Sequence, residues 1–393
     1  MELAKLIQKT AHNFNWYQAM LNEHGESGRT FSDLLELPLI TDEILNLHYH
    51  HVSHAALGNS FSYLTSGTKS GKRKRILYSE NDQKIYLQQR TAIIRNFCGT
   101  GFNRACADLG TGHAAATANE IFEGMGCEVA SIDFSRPLEE HIAVLNRFQP
   151  EIFFTMPMIL DRLLASDALD FEPKKIILLG DVATAAWQQK VALHFNLASS
   201  DILDLFGSIE IGSIAFFNHE LGCYQFDPYI LPETIHPAEI CPDADYNGSG
   251  RILVLTSFAR EYFPAVRYVT NDLLDGFALR EYQGKNIYTY DRCLGRFSNE
   301  YKHGEKINLY DINDAMAKYL PQHQYDLEDA GGTLTIRIAS PKIEPHIIST
   351  IKTDILSRNP DVKQMIASGL VGDIAMVCVA SDRIVSSASK RRY

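Results

Sequence analysis

From residue 75 to residue 195, short apolar runs alternate with longer amphipathic stretches. RILYS (75–79), ACADLG (105–110), EVASIDF (128–134), EIFFTMP (151–157) and KKIILLG (174–180) have the length and composition of strands. Between and after them, 80–97, 112–126, 138–148, 158–166 and 183–195 carry apolar residues at helical spacing. Repeated strand–helix alternation predicts an α/β fold whose largely parallel sheet is covered by helices. Turns from strand to helix fall at Gly110, Pro157 and Gly180, the end of such a sheet where ligands usually bind. Upstream, Leu3, Leu6, Ile7, Phe14 and Tyr17 mark a helix, and Thr41 can cap a second one with Glu43 in its first turn.

Beyond about residue 225 the pattern changes. GRILVLTSF (250–258) and AVRYVTNDLLDGFAL (265–279) read as antiparallel strands with polar turns. The C-terminal part predicts a small α+β unit, with helices over 309–320 and 345–356 and strands over 332–340 and 373–381. A boundary near 295 divides the chain into a large unit, 1–295, and a small one, 296–393. A length of 393 residues fits two or three structural units.

Charge and cysteine usage narrow the function classes. With 37 Lys+Arg against 48 Asp+Glu, the net charge is -11, which argues against a general nucleic-acid or membrane-surface binder. The seven cysteines are scattered without a C-x-x-C pair, so a disulfide framework is not expected and a reducing, cytoplasmic setting is. No apolar run approaches the ~18 residues of a membrane helix, and the N-terminus lacks a signal-peptide core.

Against this acidic background, TSGTKSGKRKR (65–75) is a cationic exception. Its small hydroxyl-bearing residues offer unhindered N–H groups and hydroxyl donors, and Lys72 adds charge, a combination suited to phosphate. The spacing is not that of the Walker A loop, because three residues separate Gly67 from Gly71 and Arg73 stands where a hydroxyl is needed. Read alone, the loop is equally a solvated basic turn.

Downstream come LFGSIEIG (205–212), AVRYVTNDLLDG (265–276), LGRFSNEYKHGEKI (294–307) and SSASKRRY (386–393), in that order. With the loop, these five segments resemble the adenylate-forming superfamily, most closely its phenylacetate–CoA ligase and coronafacate ligase branch, over about residues 35–393. The resemblance implies a large N-terminal domain and a small mobile C-terminal one. It also implies ATP-dependent, Mg²⁺-dependent activation of an aryl or acyl carboxylic acid as acyl-AMP, with transfer to a thiol of CoA or of carrier-protein phosphopantetheine. An amide synthetase using an amine, or a catalytically silent nucleotide-binding protein, is the alternative.

Carried over residue by residue, Thr65, Ser66, Gly67, Thr68, Gly71 and Lys72 match the loop that holds the ATP polyphosphate. Gly180 and Asp181 match the turn against adenine, and Phe206, Gly207 and Ser208 match the Tyr-Gly step of the nucleotide site. Glu210 matches the Mg²⁺ ligand, Asp272 the ribose acceptor, Arg296 the ribose and phosphate contact, and Lys390 the mobile catalytic lysine. Gly110, Gly112 and His113 lie where the family lines its acyl pocket. The chain departs from the family at an extra loop residue, at Ile209 for threonine, at Asn271 for glycine, at Ser298-Asn299 for the hinge Asp-Asp, and in Ala-Ser-Lys390. Zinc, carried by some relatives near His219, Cys223, Cys241 and Cys293, is not expected without paired cysteines. The expected partners are a small carboxylic acid and, where the acceptor is phosphopantetheine, a carrier protein, with no nucleic acid or membrane and with the oligomeric state, homodimer included, left open.

Overall fold

The computed structural model describes residues 3–24, 34–50, 57–65, 74–109, 112–133, 136–242, 246, 248–297, 309–320, 323–330, 333–340, 343–358, 363, 366–367, 372–380 and 384. The chain opens with α1 (Leu3–Asn13), α2 (Asn15–His24) and α3 (Asp42–His48). Thr41 caps α3, its hydroxyl accepting from the Ile44 N–H at 3.5 Å and satisfying one of the amides that a helix start leaves unpaired. A hairpin of β1 (Phe61–Leu64) and β2 (Arg75–Tyr78) leads into α4 (Glu80–Cys98). The start of α4 is a capping box in which Ser79 and Asp82 bind each other's backbone N–H.

The expected alternation follows: β3 (Arg104–Leu109), α5 (His113–Glu123), β4 (Glu128–Asp133), α6 (Leu138–Phe148), β5 (Ile152–Thr155), α7 (Pro157–Leu164), β6 (Lys175–Leu179) and α8 (Ala185–His194). β7 (Ile202–Ser208) pairs in parallel with β6, so β4-β3-β5-β6-β7 is a parallel array. Its inner strands β3, β5 and β6 are buried on both faces, which is why they read as near-continuous apolar runs, whereas β4 at the edge is largely half-buried or exposed. The array continues antiparallel through β8 (Gly212–Asn218) and β9 (Cys223–Phe226) to β14 (Lys285–Tyr290) and β13 (Ala278–Tyr282), making nine strands. A second, antiparallel sheet has the order β10 (Ile230–Ile235), β11 (Arg251–Ser257), β12 (Tyr268–Asp275), β15 (Arg292–Arg296).

The C-terminal part contains α9 (Leu309–Tyr319), β16 (Gln324–Ala330), β17 (Thr333–Ala339), α10 (Pro345–Arg358) and β18 (Ala375–Cys378). Its three-stranded sheet and two helices enclose their own apolar core around Ile312, Met316, Ile336, Ile338, Ile351 and Ile355. All seven cysteines are free thiols. Among the described residues, no helix is long and apolar enough to cross a membrane.

One polar pair lies inside the parallel layer. Asp108 Oδ2 and His141 Nδ1 are 2.7 Å apart, both side chains buried. The bond to Asp108 raises the His141 pKa against the opposing effect of burial, while burial pushes the Asp108 carboxyl up against the pull of His141. A histidine whose folded pKa is raised stabilises the fold fully below its unfolded pKa of about 6.5, and that contribution is lost as pH rises through the folded pKa. His141→Gln should therefore cost about 1 kcal/mol more near pH 6 than near pH 9, the difference between a charged and a neutral hydrogen bond. Urea midpoints of the two proteins at both pH values measure this, and a penalty independent of pH would show that the proton is not shared across the pair.

Candidate active site

The expected phosphate loop is the connection of the β1–β2 hairpin. Thr65 closes the base of that loop: its N–H donates to the Lys74 carbonyl and its hydroxyl accepts from the Lys74 N–H, both at 2.9 Å. Lys74 in turn lies 3.5 Å from Asp42. Ser66, Gly67, Thr68, Gly71 and Lys72 lie outside the described residues, as do Gly110, Ser298, Asn299 and Lys390.

Three neighbouring turns of the large sheet carry further candidates. After β6, Gly180 has φ +99° and lies against Met156, the residue at the β5-to-α7 turn. Asp181 follows, its Oδ1 accepting from Val182 N–H at 2.9 Å. Its charge acts on Asp204 of β7, whose buried carboxyl accepts the Tyr224 hydroxyl. Burial, the largest effect, pushes Asp204 up to about 7, with the Tyr224 bond opposing it and the Asp181 charge adding to it. Tyr224 stacks on Tyr290 at 4.7 Å, and Phe206 meets Tyr290 edge-on at 6.1 Å. The Phe206-Gly207 step is thus backed by an aromatic layer.

Ile209, Glu210 and Ile211 form the tight turn joining β7 to β8, and Ser208 Oγ accepts from the Ile211 N–H at 3.2 Å. Two long-range contacts hold this turn. The Tyr78 hydroxyl donates to the Ile209 carbonyl at 2.7 Å, and Arg260 Nε donates to the Glu210 carbonyl at 2.9 Å. Among the described residues, none donates a hydrogen bond to the half-buried Glu210 carboxylate. Ile209, which stands for the family's threonine, is packed against Gly112, where an added Cβ would approach Ile209 Cδ1 to 2.9 Å.

Asp272 and Arg296 face each other in register on β12 and β15, with Arg296 Nε donating to Asp272 Oδ1 at 3.0 Å. Asp272 is buried and the Arg296 side chain is half-exposed. Asp272, Tyr268 and Glu210 all bear on the Arg296 guanidinium, and Asp272 most strongly, so the arginine is held cationic. Asn271, before Asp272, has φ +63°. Asparagine tolerates the left-handed region better than most residues, so it substitutes there for the family's glycine at small conformational cost.

His113 begins α5 and is buried among three tyrosine rings, with centroids 4.4 Å from Tyr63, 4.2 Å from Tyr78 and 3.8 Å from Tyr86. Its Nε2 meets Gln83 Oε1 at 2.8 Å. Burial pushes its pKa down to about 2, with the nearby Arg260 and Arg90 charges adding to the effect, so the ring is a neutral imidazole at physiological pH. His219 binds the Ile202 carbonyl at 2.7 Å, and Cys223 receives Arg280 Nη1 at 3.5 Å. Among the described residues, no group of three or more His, Cys, Asp or Glu side chains is placed to hold a metal ion.

The sequence reading missed the buried side of α4, formed by Asp82, Tyr86, Arg90, Ile94 and Cys98. Their strict four-residue spacing was the available signal, because it puts an arginine and an aspartate on the helix's inward stripe.

A parallel α/β sheet with its turns gathered beside an Asp–Arg pair, followed by a small α+β unit, is the architecture of an adenylate-forming ligase. Full-length structural likeness agrees: 2-hydroxyisobutyryl-CoA ligase bound to 2-HIB-AMP superimposes over 100% of this chain and 87% of that one, with TM-score 0.74 at 15% identity. The anthranilate CoA ligase AuaEII with anthranoyl-AMP covers 84% of this chain and 64% of its own, with TM-score 0.58. In sequence, the phenylacetate-coenzyme A ligase of Aromatoleum evansii is 24% identical, over 64% of this chain and 57% of its own length. Residues 302–382 match the family described as the fumarate--diaminopropanoate ligase C-terminal domain. The fumarate--(S)-2,3-diaminopropanoate ligase of Enterobacter agglomerans is 60% identical over 100% of this chain and 98% of its own. The chain belongs to the family of that ligase.

Proposed function

We propose that this ligase activates one carboxylate of fumarate with ATP and joins it to an amino group of (S)-2,3-diaminopropanoate. The observation that carries this reading is the 60% identity over the whole chain with the Enterobacter agglomerans ligase of that name. In the first step a carboxylate oxygen attacks the α-phosphorus of ATP, and the bond to pyrophosphate breaks. In the second, the amine attacks the acyl carbonyl of the mixed anhydride, AMP leaves, and the amine loses a proton to give the amide. The acceptor is therefore an amine rather than the thiol suggested by the phenylacetate branch, and neither CoA nor a carrier protein is needed.

The residues take roles consistent with this chemistry. The loop from Thr65 to Lys72 holds the polyphosphate. Asp272 accepts from the ribose hydroxyls, and Arg296 reaches the ribose and phosphate. Gly180, Asp181, Phe206, Gly207 and Ser208 border the adenine. The Glu210 carboxylate would hold Mg²⁺, a hard cation that takes one or two protein carboxylates and fills its shell with phosphate and water. Its lack of hydrogen-bond donors among the described residues suits it to that ligand. Bound there, Mg²⁺ would offset charge on the leaving pyrophosphate. Lys390, on a mobile unit spanning 296–393, serves the first step only, and residues 1–295 hold the nucleotide and acid.

The test is a pair of assays. Labelled pyrophosphate should exchange into ATP when fumarate is present, with no amine required. Adding (S)-2,3-diaminopropanoate should yield AMP and one amide product by mass spectrometry, while CoA in its place should yield no thioester. Formation of a fumaryl thioester without amide would reverse the acceptor assignment. ATP binding without acid-dependent exchange across aryl, acyl and dicarboxylic acids would favour a silent nucleotide-binding protein.

A further inference from the structure

Two buried arginines flank His113, and only one has its hydrogen bonds made. Arg260 is fully engaged, with Nη1 on Asp82 Oδ2 at 2.7 Å, Nη2 on the Leu77 carbonyl at 2.7 Å and Nε on the Glu210 carbonyl at 2.9 Å. Arg90, on the inward face of α4, is 1% exposed, yet its Nε and Nη1 have no hydrogen-bond partner among the described residues. The carboxylate closest in effect, Asp227, accepts from Gln89 Nε2 at 2.6 Å and Tyr229 N–H at 3.0 Å and makes no hydrogen bond to Arg90. A buried guanidinium with unmade hydrogen bonds is costly unless a ligand completes it.

Its position is specific. Arg90 Nη2 lies so close to Gly207 that an added Cβ would approach it to 2.4 Å, so the absence of a side chain at 207 admits the arginine to the Phe206-Gly207 step. One helical turn earlier, the Tyr86 ring packs on His113, and the Arg90 guanidinium lies 5.7 Å from that ring. Arg90 therefore lies between the strand that ends at the nucleotide step and the histidine that begins α5.

We propose that Arg90 recognises the second, non-reacting carboxylate of the acid substrate, so that the site selects a dicarboxylate over a monocarboxylate of the same length. This rests on the reading of fumarate as the acid. The trans double bond points the two carboxylates of fumarate in opposite directions, so when one is at the α-phosphate the other is at the far end of the acyl site. A second carboxylate buried there needs a cation with directed donors, and a guanidinium offers two parallel N–H groups to its two oxygens. Neutral His113 and the tyrosines around it supply no competing positive charge.

Arg90→Met tests this by comparing fumarate with its monomethyl ester and with crotonate in pyrophosphate exchange. In the wild type, kcat/KM should favour fumarate over both. In Arg90→Met the fumarate KM should rise at least roughly tenfold, and the fumarate-to-ester ratio should fall towards one. Arg90→Lys, which keeps the charge but not the fork, should recover part of the ratio. Without substrate, Arg90→Met removes a guanidinium with two unmade hydrogen bonds but also the positive charge felt by buried Asp227, so its Tm should stay within a few degrees of the wild type, and it should lose the rise in Tm that fumarate produces in the wild type. An unchanged fumarate-to-ester ratio in Arg90→Met, with wild-type fumarate exchange intact, overturns the role of Arg90 and leaves the proposed function standing. A large fall in Tm assigns Arg90 to the fold instead and also overturns it. Wild-type exchange with monocarboxylates but not with fumarate overturns the substrate and this inference together.

Discussion

Arg260→Ala is expected to lower the free energy of unfolding by roughly 3–5 kcal/mol, the range for removing one partner of a buried ion pair. The guanidinium joins three parts of the chain: Asp82 on α4, the Leu77 carbonyl on β2, and the Glu210 carbonyl on the β7–β8 turn. It also lies 3.6 Å from the centroid of the Tyr78 ring. The Asp82 carboxylate keeps the backbone N–H groups of Ser79, Glu261 and Tyr262 after the substitution but loses its counter-charge inside the protein. The cost is therefore an uncompensated buried charge plus two carbonyls left without their donor. Urea unfolding measures it. A loss under about 1 kcal/mol, typical of a surface pair, would mean that water reaches the pocket and replaces the guanidinium. The contrast with Arg90→Met is informative, since both positions are buried arginines but only Arg260 has all its hydrogen bonds made, so its loss should cost much more stability.

Asp272→Ala should weaken ATP binding by roughly 1.5–3 kcal/mol, about ten- to a hundredfold. A buried carboxylate accepting two ribose hydroxyls makes charge-assisted bonds, which are stronger than neutral ones. A second effect opposes the first. Losing Asp272 frees Arg296, whose Nε now donates to Asp272 Oδ1 at 3.0 Å, and a freed cation draws the nucleotide's phosphates. That gain is the smaller of the two because the Arg296 side chain is half-exposed and screened, worth about 0–1 kcal/mol. Calorimetric titration with ATP decides the sign. An unchanged dissociation constant would take Asp272 out of the nucleotide site.

The α/β class was legible from residues 75–195 because a parallel strand buried on both faces must be apolar along its buried length, as residues 176–179 of β6 are. The C-terminal helices were legible from the helical spacing of their apolar residues, and two of its strands from short apolar runs bounded by turn residues. By contrast, β14 and most of β13 were not read as strands: ALREY and KNIYTY carry charged and polar side chains at exposed and half-buried positions, and only Thr289 and Tyr290 are buried, so their pairing depends on a sheet edge formed elsewhere. The β7–β8 hairpin was legible as a motif but not as a hairpin. Its turn at Ile209-Glu210-Ile211 has no Asn-Gly or Asp-Gly signature and is held from outside by Tyr78 and Arg260.

The departures from the family pattern had physical meanings that became visible only in three dimensions. Asn271 occupies a left-handed backbone position, and Ile209 fills the space over Gly112.

By itself the sequence determined the order of elements, the apolar layers, and which short segments carry hydroxyls, carboxylates and cations for a nucleotide. These are local properties, set by periodicity and by residue type. The tertiary structure alone decided which side chains meet: Asp272 with Arg296 across two strands, Arg260 with Asp82 across 178 residues, and Arg90 beneath Gly207 with unmade hydrogen bonds. The physical reason is that burial and hydrogen-bond satisfaction depend on everything that surrounds a group. Whether a buried arginine stabilises the fold or awaits a ligand cannot be read from its own helix.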